Sequence, residues 1–142
     1  MPKNNMATRS YVGVVNQDGS VEQVYVQLDG YPAGVGQMLQ GYYLAESKVR
    51  ALISRGSVCE LREIEAPCKG ANPDKVTLYI SGDETVPMRY PSVKAATDMD
   101  SLHIEWIYLF RPDGNGMGVW SCIDTTTMQE RPLLDVLAEI KG

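Results

Sequence analysis

Residues 29–36, Asp-Gly-Tyr-Pro-Ala-Gly-Val-Gly, place three glycines and a proline within eight positions. Glycine permits positive φ and close backbone approach, and proline holds φ at about −65°. The segment therefore reads as a shaped bend rather than a slack linker. It follows an alternating stretch, Val24, Val26 and Leu28 against Tyr25 and Gln27, and precedes a helical pattern from Gln37. The bend has two readings. In one, the glycines only avoid clashes in a tight strand-to-helix crossover, with Tyr31 and Pro32 packed under the sheet. In the other, Gly34 and Gly36 present backbone N–H groups to an anion at the helix start, with Asp29 and Tyr31 beside it. No Lys-Ser or Lys-Thr follows, and no third glycine stands at dinucleotide spacing, so neither nucleotide fingerprint is met.

The flanking sequence predicts ordinary elements. Tyr11–Val15 and Val21–Leu28 are strands joined by a turn at Asp18-Gly19. Gln37–Tyr43 is one or two helical turns. Glu46–Arg55 is a clearer helix, with Val49, Leu52 and Ile53 on one face, a Glu46/Arg50 pair and Gly56 as its stop. Residues 57–64 carry no decisive pattern. Lys75–Ser81 alternates as a strand, Thr85–Tyr90 suits a short edge strand limited by Pro87, and Ser92–Met99 a short helix. Leu102–Phe110 and Met117–Ile123 form a second hairpin, and Pro132–Lys141 a final helix bearing Leu133, Leu137 and Ile140. The expectation is one α+β domain over residues 10–142, with residues 1–9 flexible. It has an antiparallel sheet of about five strands, two of its units hairpins, and two or three helices packed on one face.

Pairing Phe110 with Met117 would set Ile104, Trp106, Tyr108 and Phe110 beside Met117, Val119 and Ile123. On the other face Cys122 would oppose Glu105, and His103 would oppose Asp124. A thiol, an imidazole and two carboxylates together would be the one grouping able to run nucleophilic chemistry. The stronger reading of the same residues is polar strand ends facing solvent, and a one-residue slip would disperse them.

The formal net charge of −5 opposes non-specific attraction to nucleic acid, so no direct nucleic-acid partner is expected. A small anionic ligand would need its own local positive charge, for which Arg50, Arg55 and Arg89 are the candidates. A basic protein partner is the alternative. Cys59, Cys68 and Cys122 make an odd, irregularly spaced set with one histidine, which reads as three reduced thiols. No metal or other cofactor is expected. Met1–Met6 lacks the apolar stretch of a signal peptide, and no run would span a bilayer, so a cytoplasmic protein without membrane contact is expected.

The order of these features resembles a family of small proteins encoded by bacteriophages and prophages. The matching residues are Asn16, Asp18-Gly19-Ser20, Asp29 to Gly36, and Lys48-Val49-Arg50-Ala51-Leu52-Ile53 with Gly56. Glu105 to Phe110 and Val119-Trp120 match more loosely. Many members carry Tyr-Cys-His-Trp ahead of Asp-Gly-Tyr-Pro, where this chain has Tyr25-Val26-Gln27-Leu28, so no role for a Cys or His transfers there. The resemblance implies a phage accessory protein that acts in the bacterial host's cytoplasm against host defence. The leading expectation is a non-enzymatic protein that sequesters a small phosphorylated, nucleotide-type ligand at Asp29, Tyr31, Gly34 and Gly36. The alternatives are an acidic inhibitor of a host defence protein, sensitive to charge reversal at Glu60 and Glu63, and a cysteine-dependent enzyme using Cys122 and His103. An apolar strip on the second hairpin would suit a homo-oligomer.

Overall fold

The computed structural model describes residues 8–80, 87–98 and 103–141. Its elements are β1 (Arg9–Val15), β2 (Val21–Val26), a single π-helical turn (Pro32–Gly36) and α1 (Gln37–Tyr42). α2 (Glu46–Ser54), β3 (Val58–Glu60), a 3₁₀ turn (Pro73–Lys75), β4 (Leu78–Tyr79), β5 (Met88–Tyr90) and α3 (Val93–Thr97) follow. β6 (Ile104–Pro112), β7 (Gly118–Asp124), β8 (Gln129–Pro132) and α4 (Leu133–Lys141) complete it. The α+β class expected from sequence holds. The sheet differs from that expectation: it has eight strands and is mixed, in the order β4-β3-β2-β1-β6-β7-β8, with β5 also pairing β2. β1 runs parallel to β6, and β2 parallel to β3.

Parallel pairing of β1 with β6 explains two apolar runs. Tyr11–Val14 and Ile107–Phe110 are buried at every position, because strands at the centre of a doubly covered sheet have no solvent face. Val12, Val14, Val24, Val26, Tyr108 and Phe110 face a core closed by α1, α2 and α4. Tyr11, Val21, Ile107, Leu109 and Ile123 face a smaller one closed by Ala96 and Val93 of α3 with Met88 and Tyr90 of β5. Helices therefore lie on both faces, not one.

The first hairpin forms as expected, closed by Asn16 N–H to the Ser20 carbonyl at 2.7 Å with Gly19 at φ 89°. α2 ends at Gly56, also at φ 89°. Three further differences concern limits. Thr8 is buried and Arg9 begins β1, so residues 8 and 9 belong to the fold, while residues 1–7 lie outside the described set. Residues 58–60, undecided by pattern, form β3. The strand expected over residues 75–81 shrinks to Leu78–Tyr79, and Leu78 is 45% exposed. Ser81, Thr85, Met99 and Leu102 of the expected elements lie outside the described residues.

The second hairpin shifts by three residues. Phe110 pairs with Trp120 rather than Met117, because the strands continue to Pro112 and Gly118. Asp113 holds that tighter turn, accepting the Asn115 N–H at 2.7 Å and donating its own N–H to the Met117 carbonyl at 2.9 Å. An odd shift exchanges faces. Tyr108, Phe110, Trp120 and Cys122 now share the larger core, with the Phe110 and Trp120 ring centroids 5.1 Å apart.

Candidate functional site

The bend between β2 and α1 is rigid for reasons visible atom by atom. Asp29 takes φ 58°, and its carbonyl accepts the Val35 N–H at 2.8 Å. The Gly34 N–H goes to the Tyr31 carbonyl at 2.9 Å, and the Gly30 N–H to the Thr8 carbonyl at 3.0 Å. Any Cβ on Gly34 would collide with the Asp29 carbonyl oxygen. On Gly36 it would stand 3.1 Å from Leu133 Cδ1 and 3.2 Å from Tyr108 Cε1, and Gly36 is buried there. Close packing thus accounts for both glycines. Of the N–H groups of residues 34–36 that an anion would need, those of Gly34 and Val35 are spent within the chain, and Gly36 is buried. α1, with six residues, adds little dipole.

A hollow of about 360 Å³ does open beside Asp29 and Gly34. Its floor is apolar, from Leu28, Val35, Met38 and Leu61, and Tyr42 stands at its rim. β3 supplies its far wall. Because β3 runs parallel to β2, the Leu28 N–H reaches the Cys59 carbonyl at 3.1 Å, and Glu60 to Glu63 are brought beside Asp29. The rim holds four carboxylates, Asp29, Glu60, Glu63 and Asp74, against two cations, Arg62 and Lys75. Both cations are already engaged, Arg62 Nε with Glu60 at 3.0 Å and Lys75 Nζ with Glu63 at 3.0 Å. Hydrogen bonds from Lys75 and Tyr42 hold the Glu63 carboxyl below its ordinary pKa, so it stays ionised. The hollow is acidic.

Of the residues expected at the site, Asp29 and Gly34 line this hollow, and the Tyr31 hydroxyl donates to Asp29 at 3.4 Å. Gly36 is interior. The three arginines do not converge on the hollow. Arg50 pairs with Glu46 at 2.7 Å and donates to Asn16 Oδ1 at 3.0 Å, lining a separate hollow near the first turn. Arg55 lies over the Tyr79 ring at 5.8 Å, and Arg89 pairs with Glu22 at 3.2 Å. Sequence reading missed Arg62, Asp74 and Lys75 altogether. The β2–β3 pairing brings residues 60–63 to the bend and the Ile64–Val76 bridge adds residues 74–75, and three residues of β3 carry no periodic signal.

The thiol–imidazole grouping is not assembled. Cys122 opposes Tyr108, not Glu105, and is buried; burial pushes its thiol up to about 12. Asp124 opposes Trp106, and His103 precedes β6 at φ 55° and is exposed. A protonated, enclosed thiol is a poor nucleophile. Among the described residues no three of His, Cys, Asp or Glu could share a metal ion, and no helix is long and apolar enough to cross a membrane.

No protein-family model, curated protein or solved structure matches the chain.

Proposed function

We propose that this chain is a non-enzymatic binding protein that engages a basic segment of a protein partner at the hollow beside Asp29. The observation that carries this reading is the rim: four carboxylates against two cations over an apolar floor, so that after Glu60 and Glu63 pair with Arg62 and Lys75, Asp29 and Asp74 are left without an ion pair among the described residues. A phosphate would meet repulsion and find no free backbone N–H at Gly34 or Val35. A lysine or arginine suits both parts of the hollow, its alkyl stem on Leu28, Met38 and Leu61 and its charged head at the carboxylates. The family resemblance extends the proposal to a phage accessory protein acting on a host defence protein in the cytoplasm.

Fluorescence anisotropy with a labelled arginine-bearing peptide tests this. Binding should weaken with added salt and vanish in the Glu60→Lys/Glu63→Lys double variant, whose circular dichroism should match that of the parent. Calorimetry with cyclic nucleotides is the counter-experiment. Nucleotide heat without peptide binding would restore phosphorylated-ligand capture, and absence of peptide binding at low salt would overturn the basic-partner reading.

A further inference from the structure

The far wall of the acidic hollow is not held by the sheet. β3 ends at Glu60, and the next backbone pairing is the bridge between Ile64 and Val76. Residues 61–63 between them belong to no strand, yet Leu61 forms part of the floor and Glu63 part of the rim. Carbonyl groups in such a stretch need donors from elsewhere. Side chains supply them. The Tyr43 hydroxyl donates to the Arg62 carbonyl at 2.6 Å, and Lys48 Nζ donates to the Glu63 carbonyl at 2.6 Å. Thr77 Oγ1 completes the set, accepting the Arg62 N–H at 2.9 Å.

The two donors act as one unit. Lys48 Nζ lies 4.4 Å from the centroid of the Tyr43 ring, which is wholly buried. A ring fixed by burial and an ammonium resting on its face thus grip two consecutive carbonyls.

Lys48 stands at a poor place for a cation. It is the third residue of α2, where the helix dipole is positive and an acid such as Glu46 is favoured. Nor does its charge suit the hollow. After the hydrogen bonds from Lys75 and Tyr42, the Lys48 charge is among the causes that hold the Glu63 carboxyl below its ordinary pKa. By charge alone, then, Lys48 opposes a basic ligand.

We infer that Lys48 is a positioning residue of the acidic hollow: through the Glu63 carbonyl, with Tyr43 beside it at Arg62, it fixes where the carboxylates of the 60–63 wall stand. The inference rests on the basic-partner reading above and deepens it. Affinity comes from carboxylates placed in advance of binding, not only from the sum of charge around the hollow.

Lys48→Met separates placement from charge, because the two predict opposite signs. It keeps an apolar stem on the Tyr43 ring and removes both the donor and a positive charge. Loss of the charge alone would tighten binding of the labelled arginine-bearing peptide. Loss of the grip should weaken it about tenfold. Lys48→Arg keeps a donor and a charge, and should bind within about twofold of the parent. Amide hydrogen exchange gives a readout without ligand. The Arg62 and Ile64 N–H groups, bonded to Thr77 Oγ1 and the Lys75 carbonyl, should exchange about tenfold faster in Lys48→Met and at the parent's rate in Lys48→Arg. Lys48 lies outside both hydrophobic cores, so thermal unfolding should report an intact fold in each variant. Unchanged exchange in Lys48→Met, or peptide binding as tight as the parent's or tighter, would overturn the positioning role while the Glu60/Glu63-dependent reading stood. If the parent itself binds no peptide, the basic-partner reading falls and the positioning role falls with it.

Discussion

Tyr108, in the middle of β6, donates its hydroxyl to the Gly30 carbonyl at 2.7 Å. The two residues are 78 positions apart, and both are buried. This bond ties the bend to the centre of the sheet, and the bend in turn presents Asp29 to the acidic hollow. Burial pushes the Tyr108 phenol well above its ordinary value, so the hydroxyl keeps its proton for this bond at neutral pH.

Tyr108→Phe should therefore destabilise the protein by about 1–3 kcal/mol, because it leaves a buried carbonyl without its donor. Urea denaturation should show a lower midpoint with an unchanged slope. A midpoint equal to the parent's would mean that the bend is held by packing alone.

Gly34→Val should cost more than a surface change, about 1–3 kcal/mol, since its Cβ cannot coexist with the Asp29 carbonyl oxygen unless the backbone moves. Gly41→Ala offers the contrast: no atom lies near its added methyl, and alanine favours helix by about 1 kcal/mol. Thermal unfolding of the two variants should move in opposite directions. If Gly34→Val melts with the parent, the bend is softer than its hydrogen bonds imply.

The three thiols should separate by accessibility. Cys68 is exposed, Cys59 half-buried and Cys122 buried with its thiol held up to about 12 by burial. An aromatic disulfide reagent at pH 8 should label Cys68 first, and Cys122 only when urea opens the fold. Rapid native labelling of Cys122 would contradict its enclosure in the larger core.

Alkaline stability follows from the same burial. Cys122 and Tyr79 are both raised to about 12, and the Tyr43 phenol, enclosed and donating to the Arg62 carbonyl at 2.6 Å, is also raised. A group with a raised folded pKa lends stability that is complete below its unfolded pKa and lost as pH climbs toward the folded one. Unfolding free energy should therefore decline from about pH 8.5, where an unfolded thiol ionises, and more steeply above about pH 10. Tyr43→Phe should be less stable at neutral pH and lose stability less steeply above pH 10. Parallel pH profiles for variant and parent would remove Tyr43 from this account.

What could be read from the chain was local. The first hairpin turn, α2 with Gly56 behind it and the stiff bend at 29–36 each follow from neighbouring residues, whose φ preferences and periodicity act over a few positions. The continuous runs at Tyr11–Val15 and Ile107–Phe110 signalled strands, and their double-sided burial is legible once they are seen to pair in parallel. β8 left no trace, since Gln-Glu-Arg-Pro at an edge strand needs no apolar alternation. Strand order, the three-residue shift of the second hairpin and the β2–β3 pairing were decided only in three dimensions. The β1–β6 and β2–β3 pairings join residues tens of positions apart, and no local pattern names a strand's neighbour. The candidate site belongs to that second class. Asp29 stands where the bend puts it, but the ring of charge around it is made by residues 60–63 and 74–75, and their arrival reversed the sign expected of the hollow.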